Sequence, residues 1–569
     1  MNVHPEHASS PEWPQVPLRP PEQVMRLDRM GSFFASRLSF MRTLVLQMAR
    51  DGWTFDCPVR EIDENGFGHL VMRARGDDAT FSLVVVTEYL KPEERTDRVI
   101  AEKWDASFAL VDGEATADDI ARLKKNIPFQ EAGRYTARDL VLSRANKSVR
   151  LFNYVADELA AGRQPDMSQL MQTGYLMRTT AVYGNGKFGL ADYPKASAHR
   201  LLKGPFRAEM LTVYLIRLVS FLLVNHVARA RGGAAAVELS DAHCRALGIG
   251  NSTGLGMAPF LIKHPILIHN WISARETALA RVRAVETPSA DEIGRFGELL
   301  KRARRHVAIW EVDDEIQMAR INVLRGELDT LASDLHAGDL LQDTSPWDVL
   351  FRRIEEDMSL EAQELIASLL IELYPERVDE LTAGMSTANI EHTQPSQKVG
   401  DLKAQIAAGY DWALRTDFND PSERRFFWYY SEGKEEPRRG PRIEEVGPGQ
   451  EMRLDFGYQI SRLSEELKSW NNDTSIAEFL MRRPEWRSAV RRIQTLAHYP
   501  FGEIRDNLIG ERCRPIDLLR CKLSFFGATG FDPRSDLWTR ITMYQGAPLP
   551  HQLGGAGADD WSFPAPGSQ

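Results

Sequence analysis

Four glycines within nine residues, Gly248, Gly250, Gly254 and Gly256, form the segment whose residue types and spacing point most directly to chemistry. Between them stand Asn251, Ser252 and Thr253, and Pro259 follows. Glycine opens backbone conformations closed to other residues and lets a ligand approach the main chain closely. A helix starting near Pro259 would add free amides, which suit a phosphate or a carboxylate. The spacing is G-x-G-x-x-x-G, and Asp241–Leu247 before it reads as a short helix, so the strand that opens a dinucleotide fingerprint is missing. The expected ligand-binding set here is Gly248, Gly250, Asn251, Ser252, Thr253, Gly254 and Gly256. The competing reading is a glycine-rich connection where two backbones pack closely.

Three further segments carry reactive groups. His264 and His269 lie five apart, a spacing that turns two imidazoles away from each other on a helix, so no zinc pair is expected. His264 precedes Pro265 and is the candidate general acid or base, because imidazole titrates near neutrality. Lys187, in Tyr183-Gly184-Asn185-Gly186-Lys187-Phe188-Gly189, is the second catalytic candidate, as a point charge for an anion. Phe188 stands where a phosphate-binding loop needs its magnesium-binding hydroxyl, so a nucleotide-triphosphate loop is rejected. Five consecutive aromatics, Phe426 to Tyr430, lead into a charged turn from which Ser431, Lys434 and Arg438 are the candidate ligand contacts. Aromatic faces beside arginines can stack a planar ring or a single strand of nucleic acid, whereas a buried strand explains the same run without function.

The bulk composition narrows the partners. The 569 residues carry a formal net charge of −10, which gives no general attraction to nucleic acid or anionic lipid. Nucleic acid and membrane are therefore disfavoured as partners, a small anionic ligand is favoured, and neither the cofactor nor the oligomeric state is legible. The four cysteines are scattered, with no C-x-x-C pair and no metal-ligand spacing, so a reducing compartment and a cytoplasmic location are expected and no metal site is. Met210 to Ala228 is the most apolar stretch, but Arg217 in its middle makes a buried core helix the expectation rather than a membrane span.

The elements that must position these groups are predominantly helical. Phe34 to Ala49 is apolar at helical spacing. Phe67–Arg75 and Ala79–Thr87 flank a short turn and predict a β-hairpin, with Asp105–Val111 as a third strand. Thereafter hydroxyl and acid pairs three apart recur (Thr116 with Asp119, Thr136 with Asp139, Ser289 with Glu292, Ser345 with Asp348, Ser475 with Glu478), the pattern that starts helices. The fold class expected is mainly α, a multi-helix globular architecture with a small α+β region near the N-terminus. The expected division is a disordered leader over 1–24, the α+β region over 25–135, and a helical domain over 136–383. A linker or loop follows over 384–400, then a mainly helical region over 401–553 and a disordered tail over 554–569. Glycine-rich and mixed-charge loops on a helical scaffold suggest a cytoplasmic metabolic enzyme acting on a small carboxylate, phosphate or coenzyme A-linked molecule, of unread reaction type. A non-catalytic interaction or scaffold protein is the alternative.

Overall fold

Valine- and leucine-rich runs after residue 54 pair into strands as expected, and the sheet they begin does not end with them. The computed structural model describes residues 12–26, 29, 36–91, 104–128, 136–184, 198–254, 261–337, 344–385, 393–418, 425–430, 438–441, 443, 445, 452–505, 508–510, 517, 523–528, 530–533, 538–559 and 561. Helix α1 (Phe40–Arg50) starts at Ser39, whose hydroxyl accepts from the Arg42 amide at 3.4 Å. Strands β1 (Thr54–Ile62), β2 (Gly68–Arg75), β3 (Thr80–Thr87) and β4 (Ala106–Asp112) follow as an antiparallel meander. Helix α2 (Ala117–Asn126) is entered through a full capping box between Thr116 and Asp119. Then come β5 (Asp139–Lys147), helix α3 (Phe152–Ala160), β6 (Tyr175–Gly184), helix α4 (Arg207–Gly232) and β7 (Gly248–Gly254). Among the helices that follow are α5 (Pro265–Arg283) and α6 (Leu360–Glu372). Strands β8 (Arg425–Tyr430), β9 (Arg438–Gly440), β10 (Met452–Arg453) and β11 (Leu508–Gly510) form a small separate sheet. Finally β12 (Gly530–Pro533) and β13 (Trp538–Met543) return to the first sheet, whose order is β1-β2-β3-β4-β5-β6-β7-β13-β12.

The large sheet is antiparallel except at β6 and β7, which pair in parallel. A parallel pair needs a long crossover, and α4 lies within it. Both faces of the early strands are covered. Phe81, Leu83 and Val85 of β3 join the core that contains α1, α3 and α4, while Val84 and Val86 pack with Leu123 and Ile127 of α2 and the segment after it. Strands buried on both faces read as nearly unbroken apolar runs, as β3 does.

Helix α4 is long and apolar enough to cross a membrane, yet 83% of its most apolar window is buried inside the fold. Its mid-point charge is satisfied internally. Arg217 donates to the carbonyls of Leu247 (2.8 Å), Cys244 (2.8 Å), Ala547 (3.1 Å) and Pro548 (3.5 Å). The guanidinium thus ties the crossover helix both to the entry of β7 and to the chain leaving β13.

Other buried charges meet carboxylates. Arg19 holds Glu276 of α5 at 2.8 Å and Glu364 of α6 at 3.1 Å, and Arg275 also pairs with Glu364. Arg42 pairs with Glu372, and Arg37 bonds Asp379 and Asp559, each at 2.6 Å. A second core gathers Val399–Ala413, Ile460–Leu467, Ile476, Phe479 and Ala489–Ile493.

Several expectations need correction. The fold is not mainly α with a small N-terminal strand region. It is an α/β architecture whose nine-stranded sheet draws on residues 54 to 543. The Thr136–Asp139 pattern forms its local bonds, with the Asp139 carboxylate accepting from the Thr136 amide at 2.7 Å, but the chain then enters β5 instead of a helix. Ser345 precedes the helix Pro346–Asp357 with a left-handed backbone and makes no side-chain cap. The leader is seated from residue 12 onward where Arg19 is ion-paired, and within the tail Trp561 is buried against Tyr544 (5.7 Å, 8°). Local pattern fails in these places because partners distant in sequence supply the burial and the hydrogen bonds.

Replacing Arg217 with methionine takes a donor from four buried carbonyls, of which Pro548 keeps the Tyr214 hydroxyl and Cys244 keeps the Leu247 amide, at a cost of roughly 3 kcal/mol for the groups left unsatisfied. Chemical denaturation should show a lower midpoint for Arg217→Met than for the parent chain.

Candidate functional site

The glycine segment is strand β7, not a loop. Its residues Ile249 to Gly254 lie antiparallel to β13, from Met543 to Trp538, and Gly248 and Gly250 also register with β6. A Cβ at Gly250 would stand 2.7 Å from the Tyr175 ring, and one at Gly248 would stand 2.8 Å from the Gln545 amide nitrogen. Close packing of neighbouring chains accounts for these two glycines. Asn251 is buried and donates its side-chain amide to Thr179 on β6 at 2.9 Å. Ser252 and Thr253 register with Arg540 and Thr539, and Gly254 with Trp538. Main-chain groups engaged in sheet pairing are not free to cradle an anion.

The other expected residues are dispersed. His264 is the N-cap of α5. His269, one turn into that helix, accepts from the Phe501 amide at 3.1 Å, and its ring lies between Tyr499 and Phe501. Burial lowers its pKa to about 4, so this half-buried ring is a neutral acceptor. Arg438 lies on β9 in the small sheet. Within the aromatic run Phe427, Trp428 and Tyr429 are buried, and the Tyr429 hydroxyl donates to the Pro441 carbonyl at 2.8 Å. Those rings are core, not an exposed stacking platform. Lys187, Gly256, Ser431 and Lys434 lie outside the described residues.

A different place concentrates unsatisfied chemistry: the start of α4. The helix is entered through Phe206, whose φ of 54° and ψ of 20° put an aromatic residue in the left-handed region. Such a conformation persists only where the surroundings over-determine it. Here they are rings. Phe206 packs on Phe40 of α1 (5.8 Å), Trp271 of α5 (5.8 Å) and Phe526 (4.8 Å). Phe526 belongs to a π-helical turn, Leu523–Gly527, a form often found at functional sites. Phenylalanine has no polar side-chain atom, so Phe206 cannot cap the first-turn amides of a 26-residue helix.

Arg207 follows, only 7% exposed. Its side chain folds back over the segment before the helix, because a Cβ at Gly204 (φ 142°) would stand 3.3 Å from its Cγ and Nε. The buried Nη1 has no hydrogen-bond partner, and no described carboxylate pairs with the guanidinium. Buried Arg19, Arg37, Arg42, Arg275, Arg283 and Arg492 each meet a carboxylate, and Arg217 meets carbonyls. Burial first, and repulsion from Arg50 further, lower the Arg207 pKa to about 10, with Tyr544 acting the other way. Tyr544 has its own left-handed backbone (φ 61°) and donates its hydroxyl to the Met210 carbonyl at 2.9 Å.

Two residues on stands Glu209, also 7% exposed. Burial raises its pKa to about 7, opposed by a bond from its own amide. The first turn of α4 therefore carries a buried cation without an anion and a buried carboxyl poised near neutrality. Among the described residues no cluster of histidine, cysteine and carboxylate side chains could hold a metal. The arrangement suits binding of an anion and exchange of a proton.

A basic residue at the first helical position opposes the helix dipole, and that was the sequence signal for this site. It is visible only when Gly204-Pro205 is taken as the helix boundary. Compared with protein family models, curated proteins and solved structures, the chain matches none.

Gly250→Ala should lower stability by about 1–3 kcal/mol through overpacking on Tyr175, measured by denaturant titration. The Glu209 carboxyl gains a higher pKa on folding, so its contribution is fully present below the unfolded value of 4.5 and is lost as pH rises through about 7. Glu209→Gln should therefore leave stability near pH 4.5 almost unchanged and raise it by about 3 kcal/mol at pH 8. A pH series of unfolding curves for the two chains checks this.

Proposed function

We propose that this chain is a cytoplasmic metabolic enzyme that binds a small anionic molecule at the start of α4. Arg207 is the principal anion contact and Glu209 is the group that gives or takes a proton. The observation that carries this reading is the Arg207 guanidinium, buried and without a carboxylate among the described residues, at the uncapped N-terminus of a long helix. Desolvating a charge without a partner costs several kcal/mol, and a protein tolerates that cost where a ligand restores it. The aligned peptide dipoles of the helix add to the attraction for an anion at the same point.

The glycine segment supports this function indirectly. Its close packing sets β7 against β6 and β13, and those strands flank the crossover that contains α4. Carboxylates, phosphates and coenzyme A-linked acids share the chemistry Arg207 would recognise.

The test uses native mass spectrometry of freshly purified protein, followed by thermal unfolding against a panel of small anions. A bound anion should raise the melting temperature by mass action. Arg207→Met should melt higher than the parent chain without ligand, because an unpaired buried charge is replaced by an apolar side chain. The same variant should lose the anion-dependent shift. A variant that is destabilised, and whose anion response is intact, would sink the proposal.

A further inference from the structure

We infer that residues 12–19 are the resident ligand of a polyproline-II recognition groove on the helical layer. The groove accepts, in their place, a second proline-rich segment that carries an arginine on its inner face. Prolines stand at every third position, Pro14, Pro17 and Pro20, and Pro20 itself has φ −71° and ψ 154°. That repeat matches the three residues per turn of a polyproline-II helix, a form without internal hydrogen bonds. The residues before these prolines, Trp13, Val16 and Arg19, share one face. Burial follows that face: Arg19 is buried, Trp13 and Val16 are half-buried, and the three prolines are exposed. Among the described residues the main chain of 12–19 bonds the helical layer once, from the Val16 amide to the Ala280 carbonyl of α5 at 3.2 Å.

Side chains supply the remaining grip. The Arg19 fork donates to both oxygens of Glu276 at 2.8 Å and reaches Glu364 at 3.1 Å, with the Phe351 ring centred 5.5 Å from the guanidinium. Two turns earlier, Trp13 offers its ring to the Arg377 guanidinium at 4.6 Å, which also lies 5.4 Å from Tyr374. Aromatic-lined grooves read proline-rich segments in this way, and a forked, charge-assisted contact adds selectivity for arginine. The resident segment fills the groove incompletely. The Nε atoms of Arg275 and Arg377 and the Trp13 indole nitrogen are buried without a hydrogen-bond partner. A segment that brings an acceptor to these donors recovers free energy that the resident one leaves unmet. Arg275 bridges the same two carboxylates, Glu276 at 3.2 Å and Glu364, so the slot keeps one cation when Arg19 withdraws.

The experiment titrates the full-length chain into a fluorescent peptide of residues 12–26 and follows anisotropy. The parent chain should take up little peptide, because its own segment competes at an effective concentration in about the millimolar range. Arg19→Gln loosens that segment and should bind the peptide at least about tenfold more tightly than the parent does. The same variant should bind at least about tenfold more weakly a peptide whose Arg19 is replaced with citrulline, which keeps the shape and loses the charge. Trp13→Ala combined with Pro17→Gly leaves every buried ion pair in place and should also take up the peptide, so the test survives if Arg19→Gln does not fold. Peptide refused by every variant that folds overturns the groove. So does uptake by the parent as tight as by the variants, or citrulline peptide bound as tightly as the arginine one.

Discussion

The burial of α4 is the constraint on which the rest of the architecture depends. Apolar residues would not by themselves keep so long a helix inside a protein when an arginine sits at its middle. The charge has to be met, and Arg217 meets it with main-chain oxygens from residues 244, 247, 547 and 548. Those carbonyls belong to two segments about 300 residues apart in the chain. By satisfying Arg217 they fix where β7 begins and where the chain leaves β13, the pair that continues the sheet beyond its early meander. A buried cation hydrogen-bonded in several directions costs little to keep and much to break.

Other buried charges repeat this logic at the periphery. Arg19 fastens the N-terminal segment to α5 and α6, and Arg37 and Arg42 fasten the start of α1 to Glu372 and to Asp559. The segments around Arg19 and Asp559 are thereby drawn onto the helical layer. Buried ion pairs contribute modestly to net stability, but they penalise alternative packings that would leave a charge alone. Against that background Arg207 is an exception. It lies ten residues before Arg217 on the same helix, is also buried, and has neither carboxylate nor carbonyl among the described residues. Local violations of otherwise consistent rules concentrate at functional sites, and two left-handed non-glycine residues, Phe206 and Tyr544, stand beside this one.

Much of the local structure was legible in the residues. The hairpin β2–β3, strand β4, the capping boxes at Thr116 and Ser289, and the core helix around Arg217 all follow from periodicity, turn residues and cap chemistry. The later strands were not legible. β5 begins with a helix-like cap, β7 is mostly glycine and hydroxyl residues, and β13 lies more than 280 residues beyond its partner. Neither β5 nor β7 presents the alternation by which a strand is recognised, because neighbours on both sides supply what its own residues lack, and β13, though rich in β-branched residues, is short and far from its partner. The candidate site shows the same divide. Gly248 and Gly250 are places of close approach, where the neighbouring groups are the chain at Met543 and Gln545 and the Tyr175 ring.

Composition and patterning alone determined that this is an acidic chain with an ample core, strands near its start, and one long apolar helix interrupted by a charge. Those properties are local, and each follows from neighbours a few residues away. Tertiary structure decided how far the sheet extends, which arginines are paired, and that the start of α4 holds a buried arginine with no carboxylate among the described residues. The physical reason is that both a strand's partner and a buried charge's counter-ion are chosen across the fold. Neither leaves a mark in the surrounding sequence when it comes from hundreds of residues away.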